Sequence, residues 1–418
     1  MTRTLRTVAA LPLILLVALS LRLGYAWEYQ HPRSRQALST IPFLLEPGNI
    51  AYSLAVGKGF SSPFRADTGP TAWTTPIYPS LVAGIFRLFG VYTFPSYVAA
   101  VLLNILFSTL ACVPIFFAAK RIGGAAVAAL AAWLWALCPN AITFTVSIWD
   151  VSLSAFLVAT ILWATLALST SRSGLPWLAY GFLWGMAAMT NATLVLLLPF
   201  LFGWLVYTTR QLVPVAWALG ITILCCVPWT IRNYAVFHAF IPLRSVMGLQ
   251  LWMGNNEQTH GRWAGALHPI DNSADRERYL KMGEVEYMEE KKQEAIRFIL
   301  ADPWRECRLI TNRFVVFWSG GSQHPVDDFW KLRSVQFRGL LLFNVLAAIG
   351  ALAGMVALTG DRSHYAFPTM IPPIVYPLAA YLTLASARYR LPIDPVVLVL
   401  TAAAIKKWGP PWRRSPTT

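Results

Sequence analysis

The acidic residues best placed for chemistry are those outside one long polar segment, residues 231–337, which holds 13 of the 19 acidic residues. A carboxylate beside an apolar stretch is costly unless it is paired or solvated, so each of these positions is a functional candidate. As a set they could supply a general base. They could equally form structural ion pairs, and the residues alone leave both readings open. The six are Glu28, Glu46, Asp67, Asp150, Asp361 and Asp394.

Three arginines are candidates for holding a phosphate group. Arg232 follows an apolar stretch that ends near Pro228-Trp229, and Arg388 and Arg390 stand beside the last apolar stretch. A planar guanidinium group donates two hydrogen bonds at once, which suits a phosphate. At the depth of the lipid headgroups these side chains could bind a lipid phosphate. They could also stabilise the charge that develops on the phosphate when it acts as a leaving group. Snorkelling side chains and structural ion pairs are the alternatives.

Composition places these residues in an all-α polytopic membrane protein. The chain is 56% hydrophobic and only 13% charged, far more apolar than a soluble domain. Lys and Arg recur at every second loop, as they do in short cytoplasmic loops, which predicts about ten spans with both termini in the cytoplasm. The expected spans are residues 8–27, 95–118, 124–144, 151–170, 175–190, 192–208, 211–230, 338–359, 364–385 and 391–406.

The same pattern divides the chain into three regions. Residues 1–230 form an N-terminal transmembrane catalytic module whose first outer loop is 28–94. Residues 231–337 form a mostly helical extracytoplasmic insert in which the acids are balanced by 14 Lys and Arg. Residues 338–418 return to the membrane and end in a cytoplasmic tail.

Three segments outside the spans have their own signals. The stretch from Glu46 to Pro79 is too polar and too rich in Gly and Pro to span, which predicts a functional loop at the outer face. Trp73 to Gly90 is expected to lie along the interface as a short amphipathic helix. Ala274 to Ile299 contains strong helix formers and is expected to be one helix of the insert.

Neither a nucleic-acid partner nor a metal is indicated by a motif. The net charge is +15, but the basic residues are scattered between apolar segments rather than gathered on one element, so nucleic-acid binding is excluded as an interpretation. The histidines lack metal-type spacing, although His260 and His268 share the insert and could ligate a metal. The cofactor therefore stays open: a divalent metal is possible but no ligand motif supports it.

Several motifs, in order along the chain, resemble a known family. They are Glu46 followed by IAYSLAVGKGFSSPF, then GPTAW, PIYP, SIWD, TNATLVLLLPFL, PWTIRNYAVFHAFIPLR, LWMGNN and ARYRLPIDP. Together they resemble the GT-C superfamily of polytopic glycosyltransferases, which includes protein O-mannosyltransferases and the lipid A aminoarabinose transferase. The resemblance is greatest to a bacterial branch with a short C-terminus.

This resemblance implies an inverting sugar transfer from a polyprenyl-phosphate donor at the outer face of a bacterial inner membrane. By position the catalytic base is Glu46, with Arg22 as a possible partner, Asp67 as the runner-up and Asp150 as the family's second acid. Family members often carry an Asp/Glu pair, whereas Leu45 and Pro47 flank Glu46 here, so a paired acidic or metal-binding motif is not supported.

The resemblance further implies that Arg232 and Arg390 contact the lipid phosphate. The sugar and the acceptor, whether glycan, lipid or protein, are not indicated.

Two other functions fit part of the sequence. A lipid or sugar transporter or flippase would also use arginines and acids in the membrane, but transporters tend to show repeated halves with sites at mid-bilayer, and no halves repeat here. In a non-catalytic envelope scaffold, the 231–337 insert would be a docking module and the charged residues at span ends would be incidental.

Overall fold

The computed structural model describes residues 10–171, 174–259, 265–321 and 335–409. In these ranges the chain is helical, and the one strand-like pairing is an isolated antiparallel bridge between Ser61 and Pro70. The expected all-α class is therefore confirmed.

The α-helices of the first half are α1 Ala10–Gln30, α2 Arg35–Thr40, α3 Glu46–Ala55, α4 Ile77–Phe89, α5 Phe94–Leu110, α6 Cys112–Ala136, α7 Pro139–Thr143, α8 Val151–Leu168, α9 Leu175–Thr190 and α10 Leu198–Thr209. Those of the second half are α11 Leu212–Phe237, α12 Met247–Gly254, α13 Ser273–Met282, α14 Glu284–Ala301, α15 Pro303–Ser319, α16 Val335–Gly360, α17 Ala366–Val375, α18 Pro377–Leu382, α19 Ala387–Arg390 and α20 Asp394–Trp408.

Six helical segments of the described chain are long and apolar enough to cross a membrane, which makes this a multi-pass membrane protein. One of them, Phe94–Ala136, comprises α5 and α6, and within α6 the backbone of Gly124 is not helical, near the point where the sequence pattern predicts a turn between two spans. Other expected spans coincide with shorter helices, such as α9 with 16 residues and α20 with 15. The total of ten spans stays a prediction.

The bundle is built around α6, against which α1, α8 and α20 pack. Small residues bring other helix pairs close. A Cβ atom on Gly354 of α16 would lie 2.1 Å from the Leu400 carbonyl oxygen of α20, and one on Gly181 of α9 would lie 2.3 Å from the Ala218 carbonyl oxygen of α11. Glycines at these crossings let the backbones approach, which is how helices associate in membranes without a hydrophobic driving force.

Arg22 is part of this bundle rather than of the first loop. Its guanidinium group is buried and donates hydrogen bonds to Ser108 Oγ at 2.8 Å and to the carbonyl oxygens of Ala136 at 3.1 Å and Trp135 at 3.3 Å. These bonds pin α1 to α5 and α6. No hydrogen bond or ion pair joins Arg22 to Glu46 in the described chain, so the expected partnership between them is not formed.

The first outer loop is more ordered than its Gly and Pro content suggests. Glu46 opens helix α3, which packs against α4. The expected helix within Trp73 to Gly90 is present as α4, which buries Tyr78, Val82 and Phe86 on one face.

The insert departs from the expected single helix over Ala274 to Ile299. Gly283 has a φ of 81°, a left-handed conformation that favours glycine, and it divides the segment into α13 and α14. Helix α12 lies so close to α14 that a Cβ atom on Gly248 would meet the Met288 carbonyl oxygen at 1.9 Å. The described part of the insert is therefore helical, with α12 packed closely on α14.

Candidate active site

Glu46 is held at the start of α3 by its neighbours in the chain. Leu45 is extended, and Pro47 occupies the first turn, where its missing N–H costs nothing. One turn on, the Asn49 side-chain amide donates to the carbonyl oxygens of Leu44 at 3.2 Å and Pro63 at 3.0 Å, which folds the rest of the loop over the helix start. The Glu46 side chain is buried at this position.

The insert supplies the side chain that contacts Glu46. His268 Nε2 lies 3.2 Å from Glu46 Oε1, and both side chains are buried. Burial lowers the pKa of His268, although the charge of Glu46 opposes that shift. The imidazole is therefore favoured in its neutral form at neutral pH.

Glu46 and His268 line a cavity of about 370 Å³ between the first loop, the insert and the segment that precedes the last helix. Its aromatic lining consists of Trp73, Phe144, Trp149 and Tyr389. Apolar side chains complete the walls: Leu45, Val246, Leu249, Met253 and Leu384. A concave space with apolar walls and a few converging polar groups is the usual form of a small-molecule site.

Arg388 is one of two cations that line this cavity. Its guanidinium carbon stacks 3.8 Å from the centre of the Trp149 ring, and Nη2 donates to the Tyr389 hydroxyl at 3.3 Å. Its Nε is buried and has no hydrogen-bond partner within the described ranges. Arg388 is thus oriented by an aromatic face and keeps donors available for an anion.

Arg244 is the second cation and was not anticipated from the sequence. It lines the same cavity, where Nη2 donates to Gln250 Oε1 at 3.2 Å and to Thr193 Oγ1 at 3.4 Å. Neither Arg244 nor Arg388 forms an ion pair with a carboxylate in the part of the chain that the structure describes. Burial lowers the pKa of Arg244 because its charge is removed from water, but arginine stays protonated.

Asp150 lies behind the arginines and does not line the cavity. Its Oδ2 accepts a hydrogen bond from Ser154 at 2.8 Å. Burial raises the pKa of Asp150, and the charges of Arg388 and Arg244 oppose that rise, so the three groups interact electrostatically. This position suits a residue that orients cations more than one that meets a substrate.

Asp67 is not brought to Glu46. It is exposed, its Oδ2 pairs with Lys58 Nζ at 2.7 Å, and its Oδ1 accepts from Ser62 Oγ at 3.2 Å. The hydrogen bond from Lys58 lowers the pKa of Asp67. Asp67 and Lys58 line a second cavity of about 320 Å³ on the other side of the loop.

The other two candidate arginines, Arg232 and Arg390, form contacts within the protein. Neither of them lines the cavity of Glu46. Arg232 donates to the carbonyl oxygens of Thr71 and Phe60, each at 2.7 Å, and so ties the first loop to the end of α11. Arg390 pairs with Asp394 at 2.7 Å, and Nη1 donates to the Trp318 carbonyl oxygen at 2.7 Å.

A buried carboxylate in the insert holds the first loop in place. Glu284 accepts hydrogen bonds from Thr71 Oγ1 at 2.5 Å, the Ala72 amide at 2.7 Å, Ser245 Oγ at 2.7 Å and the Tyr279 hydroxyl at 2.7 Å. These bonds fix the segment that carries Trp73 into the cavity. The acid-rich stretch around Glu284 has the sequence of a solvated helix face, so nothing local marks this residue.

No described group of three or more His, Cys, Asp and Glu side chains could hold a metal ion. The metal arrangement raised for His260 and His268 falls partly outside the described residues, because His260 is among those left undescribed.

Residues 73–231 match the sequence profile of the family described as dolichyl-phosphate-mannose-protein mannosyltransferase. No curated protein sequence matches the chain.

Among solved structures, the archaeal oligosaccharyltransferase AglB from Archaeoglobus fulgidus, in complex with an inhibitory peptide and a dolichol-phosphate, aligns with a TM-score of 0.58 at 14% identity over 97% of this chain and 50% of that one. The Archaeoglobus fulgidus oligosaccharyltransferase in complex with Zn and sulfate aligns with a TM-score of 0.56 at 14% identity. The alignment covers 95% of this chain and 49% of that one.

ArnT from Cupriavidus metallidurans, bound to undecaprenyl phosphate, aligns more loosely, with a TM-score of 0.38 at 13% identity over 97% of this chain and 78% of that one. The chain spans about half the length of the oligosaccharyltransferases it matches. The overlap with these oligosaccharyltransferases identifies the fold. That fold, and the profile match over residues 73–231, support the expected resemblance to the GT-C superfamily of polytopic membrane glycosyltransferases.

Proposed function

We propose that this protein transfers a sugar from a polyprenyl-phosphate donor to an acceptor hydroxyl, with inversion, at the outer face of a bacterial inner membrane. The observation that carries the proposal is the cavity in which buried Glu46 faces the same space as Arg244 and Arg388, two arginines without carboxylate partners in the described chain. The matched family acts with dolichyl-phosphate-mannose by its description, and the AglB structure holds a dolichol-phosphate, which supports a lipid-phosphate donor.

Glu46 would act as the general base. One carboxylate oxygen of Glu46 takes the proton of the acceptor hydroxyl while the hydroxyl oxygen forms a bond to the anomeric carbon of the sugar. The bond between the anomeric carbon and the phosphate oxygen breaks on the opposite face, and its electron pair leaves with the polyprenyl phosphate. A single displacement of this kind inverts the anomeric centre.

Arg388 and Arg244 would hold the donor phosphate and stabilise the charge that it gains on leaving. Their hydrogen bonds to Tyr389 and Gln250 fix the guanidinium groups before the donor arrives, so little reorganisation is needed during the reaction. The rings of Trp73 and Trp149 offer apolar faces on which a sugar can lie. Asp150 would orient the arginines through its charge.

The experiment begins with the donor. A strain that lacks the protein should accumulate a polyprenyl-phosphate sugar, which lipid mass spectrometry identifies. Purified protein in proteoliposomes, supplied with an envelope extract of the same strain as the source of acceptor, should then convert this lipid to polyprenyl phosphate and a glycosylated acceptor. A lipid that changes leaflet without being consumed would favour the flippase alternative instead.

Glu46→Gln keeps the shape of the side chain but cannot accept a proton at neutral pH. We expect turnover of the accumulated donor to fall about 10²- to 10⁴-fold, the usual contribution of a positioned base. Asp67→Asn is the matched control, since it makes the same change in the same loop on a carboxylate outside the cavity. Normal turnover by Glu46→Gln, together with a dead Asp67→Asn, would move the base to Asp67.

A further inference from the structure

His268 and Glu46 form a buried pair across two regions of the chain. Glu46 begins a helix of the first loop, whereas His268 follows a 3₁₀ turn at Gly265–Leu267 in the insert. Their contact of 3.2 Å between Nε2 and Oε1 lies at the wall of the proposed catalytic cavity. The position of the base is therefore linked to the docking of the insert.

The tautomer of His268 follows from its other ring nitrogen. The Ile270 backbone N–H donates to Nδ1 at 3.2 Å, so Nδ1 carries a lone pair and no proton. Because burial lowers the pKa of His268, the ring stays neutral and its single N–H is on Nε2. The group that faces Glu46 Oε1 is therefore a donor.

Aromatic rings hold the imidazole in this orientation. The Phe64 ring lies edge-on at 6.0 Å between centroids and the Trp73 ring at 5.4 Å, both at an interplanar angle of 83°. Trp73 in turn follows Thr71 and Ala72, which Glu284 fixes. Among the described residues, Asp271, Asp275 and Arg388 also act on His268 through their charges.

We propose that His268 is a positioning residue for the Glu46 base: its Nε2–H holds Oε1 and leaves Oε2 to face the cavity and accept the proton. This inference rests on the proposed function of Glu46. A hydrogen bond across this 3.2 Å contact would fix the carboxylate plane before the acceptor binds, and it would persist when Oε2 becomes protonated, since Oε1 still accepts. It also makes catalysis depend on a docked insert.

The kinetic test compares three substitutions at one position. Gln can place an N–H donor near the site of Nε2, whereas the shorter Asn reaches only the position of Nδ1, and Ala offers no donor. With the donor lipid from the deletion strain, we expect kcat to fall about 10- to 100-fold in His268→Asn and His268→Ala, the effect of losing one hydrogen bond to a charged group. His268→Gln should keep most of kcat, and KM for the donor should change less than about twofold in all three.

His238→Asn is the matched control, because His238 is exposed at the end of α11 with a φ of 51° that Asn tolerates. Its kcat should equal that of the unaltered protein. Equal decreases of kcat in His268→Gln, His268→Asn and His268→Ala would overturn the positioning role. A rise in KM large enough to explain the lower activity would overturn it as well.

A spectroscopic test needs no turnover. In protein labelled with ¹⁵N-histidine, the resonances of one of the six histidines should show a protonated Nε2 and an unprotonated Nδ1 at neutral pH. These resonances should be absent from the spectrum of His268→Gln. The Nε2 resonance should shift in Glu46→Gln. An Nδ1-protonated or doubly protonated ring at this position would overturn the proposal.

If Glu46→Gln turns over normally the base assignment itself fails. If Glu46→Gln is dead while His268→Asn is fully active, only the positioning role fails.

Discussion

Arg388 and Arg390 occupy alternate positions of the short helix α19, yet their guanidinium groups meet different surroundings. Arg390 is 1% exposed and its charge is neutralised by Asp394, which is itself buried. Arg388 stacks on Trp149 and faces the cavity without a carboxylate partner in the described chain. The contacts thus engage Arg390 within the bundle, whereas Arg388 faces the cavity in which we propose that the donor binds.

We expect the two alanine variants to fail in different ways. Arg388→Ala should weaken binding of the donor lipid at least about 10-fold with little change in melting temperature, and Arg388→Lys should restore part of it by returning charge without the planar fork. Arg390→Ala should cost about 3–5 kcal/mol of stability, because Asp394 is left buried and unpaired. The loss of affinity is measured by donor binding in detergent, and the loss of stability by thermal unfolding in the same detergent. An Arg390→Ala protein that is stable but cannot bind donor would return the phosphate contact to Arg390.

Helix α20 owes its place beside α16 to small residues. Gly350 lies against Thr401, and Gly354 lies against the backbone of Leu400, with no room for a Cβ atom at either position. Because lipid tails are as apolar as the helix surfaces, close backbone contact supplies the van der Waals attraction that holds such pairs. The crossing also supports α19, since Arg390 donates to the Asn344 carbonyl oxygen of α16 at 3.0 Å.

Gly354→Ala should therefore destabilise the protein by about 1–3 kcal/mol, the usual cost of overpacking, even though alanine is the better helix former. Gly220→Ala is the matched control: Gly220 lies in the apolar helix α11 with nothing within 4 Å of an added Cβ atom. Melting temperatures in one detergent provide the comparison. Equal temperatures for the two variants would show that the α16–α20 contact can relax without cost.

At the scale of the whole molecule, the first loop and the insert assemble into one unit above the bundle. Glu284 binds Thr71 and Ala72, Arg232 binds Thr71 and Phe60, and His268 meets Glu46. Segments that contact one another this closely must lie on the same side of the membrane. The pattern of basic loops predicts that this side lies outside the cytoplasm.

Single-cysteine labelling of intact cells with a membrane-impermeant reagent tests this placement. Ala66→Cys in the first loop and Ser273→Cys in the insert are exposed and should both react. Thr359→Cys, exposed at the far end of α16, should react only after the membrane is opened. The background is Cys307→Ser, because Cys307 is the exposed native cysteine among the described ones. Protection of Ala66→Cys and Ser273→Cys together with labelling of Thr359→Cys would invert the topology and the proposed donor side.

The sequence by itself determined the membrane class and the helical architecture, and it predicted a functional site around Glu46, since hydropathy, charge in loops and Gly/Pro content act over short stretches of chain. Tertiary structure alone decided which charged groups share a cavity. His268, Arg244 and Glu284 are distant from Glu46 in sequence, and no local pattern distinguishes them from ordinary polar residues. Arg388 and Arg390 look alike in the chain, and they differ only because Asp394 and the Trp318 carbonyl oxygen meet one guanidinium group while Trp149 meets the other. Asp394 is only four residues from Arg390, but the cavity that Glu46, His268, Arg244 and Arg388 share is formed by packing between distant segments, and that information is absent from any single stretch of residues.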